Sequence, residues 1–381
     1  MSPVKVVQKG DDVHAAERPT EEAVGRNSPT APPFVPPMPS SDGPIAPDRP
    51  VRFGILGTAR IAVQVAAAIR GARGAELRAV ASRDAERARR WAEEHGCAVA
   101  YGDYRQLLQD ETIDVVYIPL PPALHPEWTI RAAEAGKHVL CEKPLAATLA
   151  DARSMVAACR GQGVQLMDGV MWIHHPRTAA MKQCLLNGDF GPLRRVTSAF
   201  SFCWPRIPEN EFRLQRAMGG GSLLDLGWYC VGAAIWAFEA LPERVFGAAD
   251  WYGDVDLSFS GWLDFGDHRT AAIESAFDRV RRRWIEVAGT QLSLVCDDYT
   301  RPWDDQRPRF WLHDSDGRSE ERVVTGPRQE VCMVEDFVRL VQSGRLEPRW
   351  PQWSLQVQAV CELLDRSARE GKLLPFAASP A

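Results

Sequence analysis

The chain has 381 residues, is 45% hydrophobic, and carries 45 Lys and Arg against 50 Asp and Glu, a formal net charge of −5. That length allows two compact domains with a core each, and the missing basic excess argues against a nucleic-acid partner. Nine cysteines, an odd number scattered from Cys97 to Cys361 with no Cys-x-x-Cys spacing, fit reduced thiols in a cytoplasmic protein better than a disulfide framework.

Residues 1–49 stand apart. Pro29, Pro32-Pro33, Pro36-Pro37, Pro39, Pro44 and Pro47, mixed with Ser, Asp and Gly, cannot bury enough apolar surface to fold alone. They read as a disordered arm. Met1 to Gly10 lack the apolar core of a signal peptide, and no stretch reads as long and apolar enough to span a bilayer.

From residue 50 to 168 strands and helices alternate. Strands are expected at Val51 to Leu56, Glu76 to Ser82, Ile113 to Pro119, His138 to Cys141 and Val164 to Met167. Helices fall between them at Ile61 to Ile69, Ala85 to His95, Glu127 to Ala135 and Asp151 to Arg160. Strands joined by helices of this length form parallel βαβ units, so this domain reads as a doubly wound Rossmann sheet with its ligand at the carboxyl ends of the strands. The first turn, Gly54-Ile55-Leu56-Gly57-Thr58-Ala59-Arg60-Ile61-Ala62, is a glycine-poor version of the dinucleotide fingerprint, with Ala59 in the middle glycine slot.

Residues 169–381 read as an α+β domain. Short, often alternating segments at Leu193 to Trp204, Arg244 to Trp251, Leu257 to Phe265, Thr270 to Phe277, Trp284 to Ala288, Leu292 to Cys296 and Phe310 to His313 suit a large, mostly antiparallel sheet. Helices at Val331 to Gln342 and Gln352 to Arg369 close the chain. The basic run Arg279 to Arg283 precedes an alternating strand and reads as a solvated strand or sheet edge in preference to a nucleic-acid patch.

Several stretches carry a resemblance: the Gly54 to Ala62 turn, Ala81-Ser82-Arg83-Asp84, Tyr117 to His125, Ala135 to Leu145 with Glu142-Lys143-Pro144 at its heart, and Gly219-Gly220-Gly221-Ser222-Leu223-Leu224-Asp225-Leu226-Gly227-Trp228-Tyr229. Together they make the chain similar to the glucose-fructose oxidoreductase/inositol dehydrogenase (Gfo/Idh/MocA-type) family of NAD(P)-dependent oxidoreductases. The resemblance implies cofactor contacts from Gly57, Ala59, Arg60, Ile61, Ser82, Arg83, Leu120, His125, Glu142 and Lys143. It also implies a catalytic set in which Tyr229 exchanges a proton, Lys143 lowers the tyrosine's pKa and polarises the substrate oxygen, and Asp225 orients the lysine or the sugar. Trp172 and His175 would face the substrate, although Ile173 stands where the family has an arginine and Pro122 where it has an asparagine.

Ser82-Arg83 at the end of the second strand offers a hydroxyl and a guanidinium, which suits the 2′-phosphate of NADP; Asp84 keeps NAD as the runner-up. Adjacent His174 and His175 diverge in an extended chain and have no third ligand spaced with them, so no metal site is expected. The implied function is hydride transfer between nicotinamide and a secondary alcohol or carbonyl of a sugar, polyol or related cyclic alcohol, in a homo-oligomer, dimer or tetramer. The alternative is a non-catalytic dinucleotide-binding sensor of the same fold.

Overall fold

The structure, a computed structural model, describes residues 49–206 and 211–376. The proline-rich arm lies outside them except for Arg49, whose guanidinium grips the Asp114 carboxylate through two hydrogen bonds of 2.9 Å.

Six parallel strands form the first sheet: β1 (Val51–Leu56), β2 (Ala75–Ala81), β3 (Val99–Tyr101), β4 (Val115–Ile118), β5 (His138–Cys141) and β6 (Leu166–Asp168), in the order β3-β2-β1-β4-β5-β6. The connecting helices are α1 (Arg60–Gly71), α2 (Ala85–His95), α3 (Tyr104–Gln109), α4 (His125–Glu134) and α5 (Leu149–Gly161). Burial on both faces explains the apolar strands: Val51, Phe53, Ile55 and Leu56 of β1 are fully buried. Strand order reverses between β1 and β4, and a crevice opens there at the carboxyl ends. The short β3 and α3 have too few residues to show a period, and were not expected.

The second sheet has nine strands. They are β7 (Leu193–Cys203), β8 (Arg244–Tyr252), β9 (Val255–Asp264), β10 (Thr270–Ala276), β11 (Asp278–Gly289), β12 (Leu292–Cys296), β13 (Arg309–Asp314), β14 (Ser319–Val323) and β15 (Leu374–Pro375), in the order β14-β13-β12-β11-β7-β10-β9-β8-β15. Every pair is antiparallel except β10 with β7. Helices α6 (Pro176–Leu186), α7 (Trp228–Phe238), α8 (Gln329–Gln342) and α9 (Arg349–Glu370) complete the chain.

Two expectations need correcting. The helical run Arg216–Phe238 is long and apolar enough by composition to cross a membrane, contrary to the sequence reading, but 83% of its apolar window is buried inside the protein. It is apolar all round because it is a core helix. Helix α8, expected to serve the second domain, packs on the first sheet: Met333, Val334, Phe337, Val338 and Val341 share a core with Phe53, Ile55, Val65 and Ile69.

Helix α9 also reaches the first sheet. Asp168, at the end of β6 and 2% exposed, accepts a 2.8 Å hydrogen bond from the Ser354 hydroxyl of α9, and burial pushes its carboxyl up to about 7. In the unfolded chain this acid ionises near 3.8, so between those values the unfolded chain binds fewer protons than the folded protein and stability falls as pH rises. Asp168→Asn should therefore flatten the decline in melting temperature between about pH 4 and 7 and raise the melting point at pH 7.5 by roughly 3 °C or more. Thermal unfolding across that pH range checks this, and parallel curves for the two proteins would refute it.

Candidate active site

The turn from β1 into α1 is shaped for close approach. Gly57 has φ +108, and a Cβ there would sit 3.0 Å from Leu120, so only glycine enters without strain. Ala59 has φ −63 and ψ 157, a conformation any residue adopts, so the backbone there does not itself require glycine. No side chain caps α1. Its first N–H groups, together with the exposed Arg60, make a ready anion seat.

At the end of β2, Ser82 is buried and its Oγ accepts from the Asp84 N–H at 3.3 Å. Asp84 caps α2, accepting from the N–H groups of Glu86 and Arg87 at 2.9 and 3.1 Å. Those hydrogen bonds, the Arg87 one foremost, hold its carboxyl below the ordinary range. Arg83 is exposed, and both it and Arg87 pull down the Tyr104 hydroxyl against the upward push of its burial. That hydroxyl lies 3.5 Å from where a Gly57 Cβ would be. Arg83 and Arg87 thus bring two guanidinium groups to this corner.

Across the crevice, Lys143 follows β5. Its Nζ donates to the Asp225 carbonyl and to Asp225 Oδ1, each at 2.7 Å. Arg213 Nε donates to Asp225 Oδ2 at 2.9 Å, and Arg213 Nη1 donates to Glu211 Oε1 at 2.9 Å. Burial pushes the Asp225 carboxyl up, but Lys143 and Arg213 outweigh it and hold the acid at about 2. Lys143 Nζ also stands 5.1 Å from the centre of the Tyr229 ring, which meets Phe200 edge-on at 5.3 Å. Burial, then Glu142 and Asp225, hold the Tyr229 hydroxyl well above 10. The ammonium is bound to Asp225 and faces the ring, and burial with the neighbouring carboxylates keeps the phenol protonated.

Asp225 and Tyr229 lie in a π-type turn, Leu223–Gly227, and the first turn of α7. The Ser222 side chain does not cap this helix. Asp256 of β9 does: its Oδ2 accepts from the Ser222 hydroxyl at 2.6 Å and the Leu223 N–H at 2.7 Å. Gly221, at φ +113, is required because a Cβ would lie 2.2 Å from Asp256 Oδ1. Behind Lys143, the buried Glu142 accepts from the Tyr117 hydroxyl at 2.7 Å, and burial raises its pKa.

One cleft of about 720 Å³ brings most of these groups together, lined by Ala59, Arg60, Ile61, Leu120, Glu142, Lys143, Asp225 and Tyr229 among others. Six nominated residues do not line it: Gly57, Ser82 and Arg83 belong to the β1 and β2 ends described above, and His125, Trp172 and His175 lie elsewhere. His125 is fully buried, with its ring nitrogens 2.7 Å from the Leu120 carbonyl and 3.1 Å from those of Pro144 and Leu145; it braces the Leu120 turn against the lysine segment. Trp172, 1% exposed, packs edge-on against Trp236 and Tyr299. His175 caps α6 by accepting from the Arg177 N–H at 3.0 Å. A substrate-facing place for Trp172 and His175 is thus corrected to the core and a helix cap. Arg213, Thr300, Arg301 and Gln329 line the cleft, and no sequence signal named them, because they come from segments distant in the chain; Arg283 lines it too, which corrects the sheet-edge reading of the basic run, since β11 lies between β12 and β7 and Arg283 is half-buried. Among the described residues no three His, Cys, Asp or Glu side chains form a metal cluster.

Comparison with known proteins agrees with this layout. Residues 51–170 match the model of an oxidoreductase family with an NAD-binding Rossmann fold, and residues 178–295 match the GFO/IDH/MocA C-terminal domain. The chain is 35% identical over 323 residues to a D-xylose 1-dehydrogenase (NADP(+)) of Haloferax volcanii, covering 84% of this chain and 98% of that protein. It is 36% identical over 304 residues to a dTDP-3,4-didehydro-2,6-dideoxy-alpha-D-glucose 3-reductase of Saccharopolyspora spinosa, covering 78% and 89%. A 3-ketoreductase from Actinomadura kijaniata, solved in complex with NADP and TDP-benzene, superposes with a TM-score of 0.78 at 30% identity, covering 84% and 98%.

The clamp on Asp225 has a measurable weight. Removing one partner of a buried carboxylate costs about 3–5 kcal/mol, but 28% of the Arg213 side chain is accessible, so the loss is discounted for solvent screening. Arg213→Ala should cost roughly 1–3 kcal/mol at neutral pH. The penalty should shrink below pH 4 as Asp225, freed of one cation, takes up a proton. Denaturant unfolding at pH 7 and at pH 3.5 reads both values, and an equal penalty at the two would refute the clamp.

Proposed function

The chain belongs to the Gfo/Idh/MocA oxidoreductase family, and from that premise we propose that it is an NADP-dependent dehydrogenase or reductase acting on a secondary alcohol or carbonyl of a sugar, polyol or related cyclic alcohol. The observation that carries this reading is the meeting of Lys143, Asp225 and Tyr229 with the uncapped turn of α1 in one cleft. A dinucleotide-binding sensor would need the turn but not the three polar groups.

The residues fit the cofactor. The free N–H groups of α1, Arg60 and the positive-φ Gly57 suit a pyrophosphate. Ser82 and Arg83, joined by Arg87 and Tyr104, suit a 2′-phosphate. Asp84, the one argument for NAD, is engaged as a helix cap. When bound, NADP supplies or accepts the hydride.

The chain's own groups handle the proton and the charge. Two of the three Lys143 N–H bonds go to Asp225, leaving one for the substrate oxygen. A phenol held protonated is suited to donate to an oxygen gaining negative charge, and to take the proton back in the reverse direction. Asp225, kept ionised by Arg213, fixes the lysine so that its remaining donor is aimed in advance. The open face of the second sheet, where a groove of about 750 Å³ is lined by Phe246, Trp262 and Trp284, supports a homo-oligomer; sedimentation as a monomer would refute that part.

Charge-assisted hydrogen bonds are worth roughly 1.5–3 kcal/mol, so Arg83→Asp should weaken NADP by about tenfold to a hundredfold while sparing or helping NAD. Titration of both nucleotides tests this, and an unchanged preference would rule the assignment out. Lys143→Ala and Tyr229→Phe should each lower turnover by roughly a hundredfold to ten-thousandfold, with much smaller losses of nucleotide affinity. Their effects should not add, since residues of one relay act as a unit. Steady-state rates on any substrate found by screening aldoses, polyols and inositols decide it: full activity in Lys143→Ala would sink the mechanism, and full activity in Tyr229→Phe alone would remove only the tyrosine.

A further inference from the structure

The cleft holds more positive charge than its carboxylates neutralise. Lys143 and Arg213 share Asp225, and Arg213 also holds Glu211. Arg301 is paired with Glu330 at 2.9 Å and donates to Gln64 on α1 at 2.8 Å. Two arginines remain, at different places. Arg60 sits at the start of α1, where the cofactor's phosphates are expected. Arg283, on β11, comes from the second sheet.

Arg283 is half-buried and has no carboxylate partner among the described residues. It is nonetheless held in one position, with its guanidinium 4.4 Å from the centre of the Trp303 ring and Nη1 donating to the Arg301 carbonyl at 2.8 Å. Its neighbours in the run are different: Arg279 and Arg282 both pair with Glu274. Burial, then Arg281 and Arg301, lower the Arg283 pKa and outweigh the opposing pull of Asp298, whose carboxylate is already paired with Arg177. A partly desolvated cation among like charges is costly unless an anion joins it.

A second observation points to the same place. Thr300 and Gln329 line the cleft and are only 5% and 6% exposed. The Thr300 hydroxyl and Gln329 Oε1 have no hydrogen-bond partner, whereas Gln329 Nε2 donates to the Thr300 carbonyl at 3.1 Å. Buried polar atoms without partners are rare and call for a ligand or water. A hydroxyl donor lining the same cleft as a guanidinium suits an anionic oxygen.

We propose that Arg283 and Thr300 form an anion subsite at the sheet side of the cleft, and that the physiological substrate is a sugar-like alcohol or ketone bearing a carboxylate, phosphate or diphosphate seated there. This rests on the oxidoreductase reading and narrows its substrate class. Neutral aldoses and polyols leave the subsite unfilled.

The test uses the full-length protein saturated with NADP, titrated calorimetrically with glucose, glucuronate, glucose 6-phosphate and inorganic pyrophosphate. One or more of the anionic probes should bind at least about tenfold tighter than glucose, the scale of one charge-assisted hydrogen bond. Arg283→Gln should erase most of that ratio while NADP affinity stays near the wild-type value. Which anionic probe prevails separates a carboxylate from a phosphate or diphosphate. Equal binding of glucose and the anions, no binding of any probe to NADP-loaded protein, or a loss of NADP affinity in the variant in place of the anion preference would each overturn the subsite. Wild-type protein that fails to bind NADP would overturn the oxidoreductase reading itself. If the variant does not fold, the wild type still decides, because added potassium chloride must weaken the anionic probe and leave glucose binding in place.

Discussion

A carboxylate taken out of water and held ionised by two cations is the constraint around which this molecule is arranged. Asp225 is mostly buried, and by itself burial would neutralise it; Lys143 and Arg213 reverse that balance and keep it at about 2. Lys143 belongs to the first sheet, at the end of β5, while Asp225 belongs to the turn that opens α7 against the second sheet. The ion pair therefore ties the two halves together at the point where the cleft forms. An ammonium left without its carboxylate at this depth would be costly, so the cleft and the folded arrangement stand together.

Other crossings reinforce the same geometry. Helix α8 buries an apolar face against β1 and α1, Ser354 of α9 donates to Asp168 at the end of β6, and Arg301 reaches Gln64 on α1. Each joins a late segment of the chain to the first sheet. The turn that suits a dinucleotide and the groups that suit a proton and a substrate oxygen are thereby held in register by packing, which is the condition for preorganised catalysis. The residues that line the sheet side of the cleft, Arg283, Thr300 and Gln329, are placed by those crossings as well.

Local chemistry is legible in a sequence wherever one segment acts within itself. Apolar runs bounded by helical periods marked β1, β2, β4 and β5, and α2 was readable to its ends because Asp84 caps it and Gly96 in the left-handed conformation closes it. Lys143, Asp225 and Tyr229 were legible as a set because their motifs resemble those of a family, and Ser82-Arg83 because the end of a second strand is where a ribose is met. Short elements such as β3 and α3, and the uniformly apolar α7, carry no period to read.

Contacts between distant segments were decided only in three dimensions. His125 and His175 are polar residues beside informative motifs, yet carbonyl oxygens across a turn and a helix N-terminus engage their rings. Trp172 looks like a substrate platform in the chain and is a core residue wedged between Trp236 and Tyr299. The helix that carries Asp225 and Tyr229 takes its cap from Asp256 on β9, more than thirty residues away in the chain. The Asp225 clamp needed Arg213, which has no motif, and the free charge of Arg283 is visible only once Glu274 is seen to serve Arg279 and Arg282. The residue types and local periods of the chain determined the two-sheet architecture and the dinucleotide turn, and motif resemblance singled out the polar groups that meet in the cleft. Their protonation states and partners were set by tertiary packing, because desolvation and Coulomb energy depend on distances between segments that sequence separation does not encode.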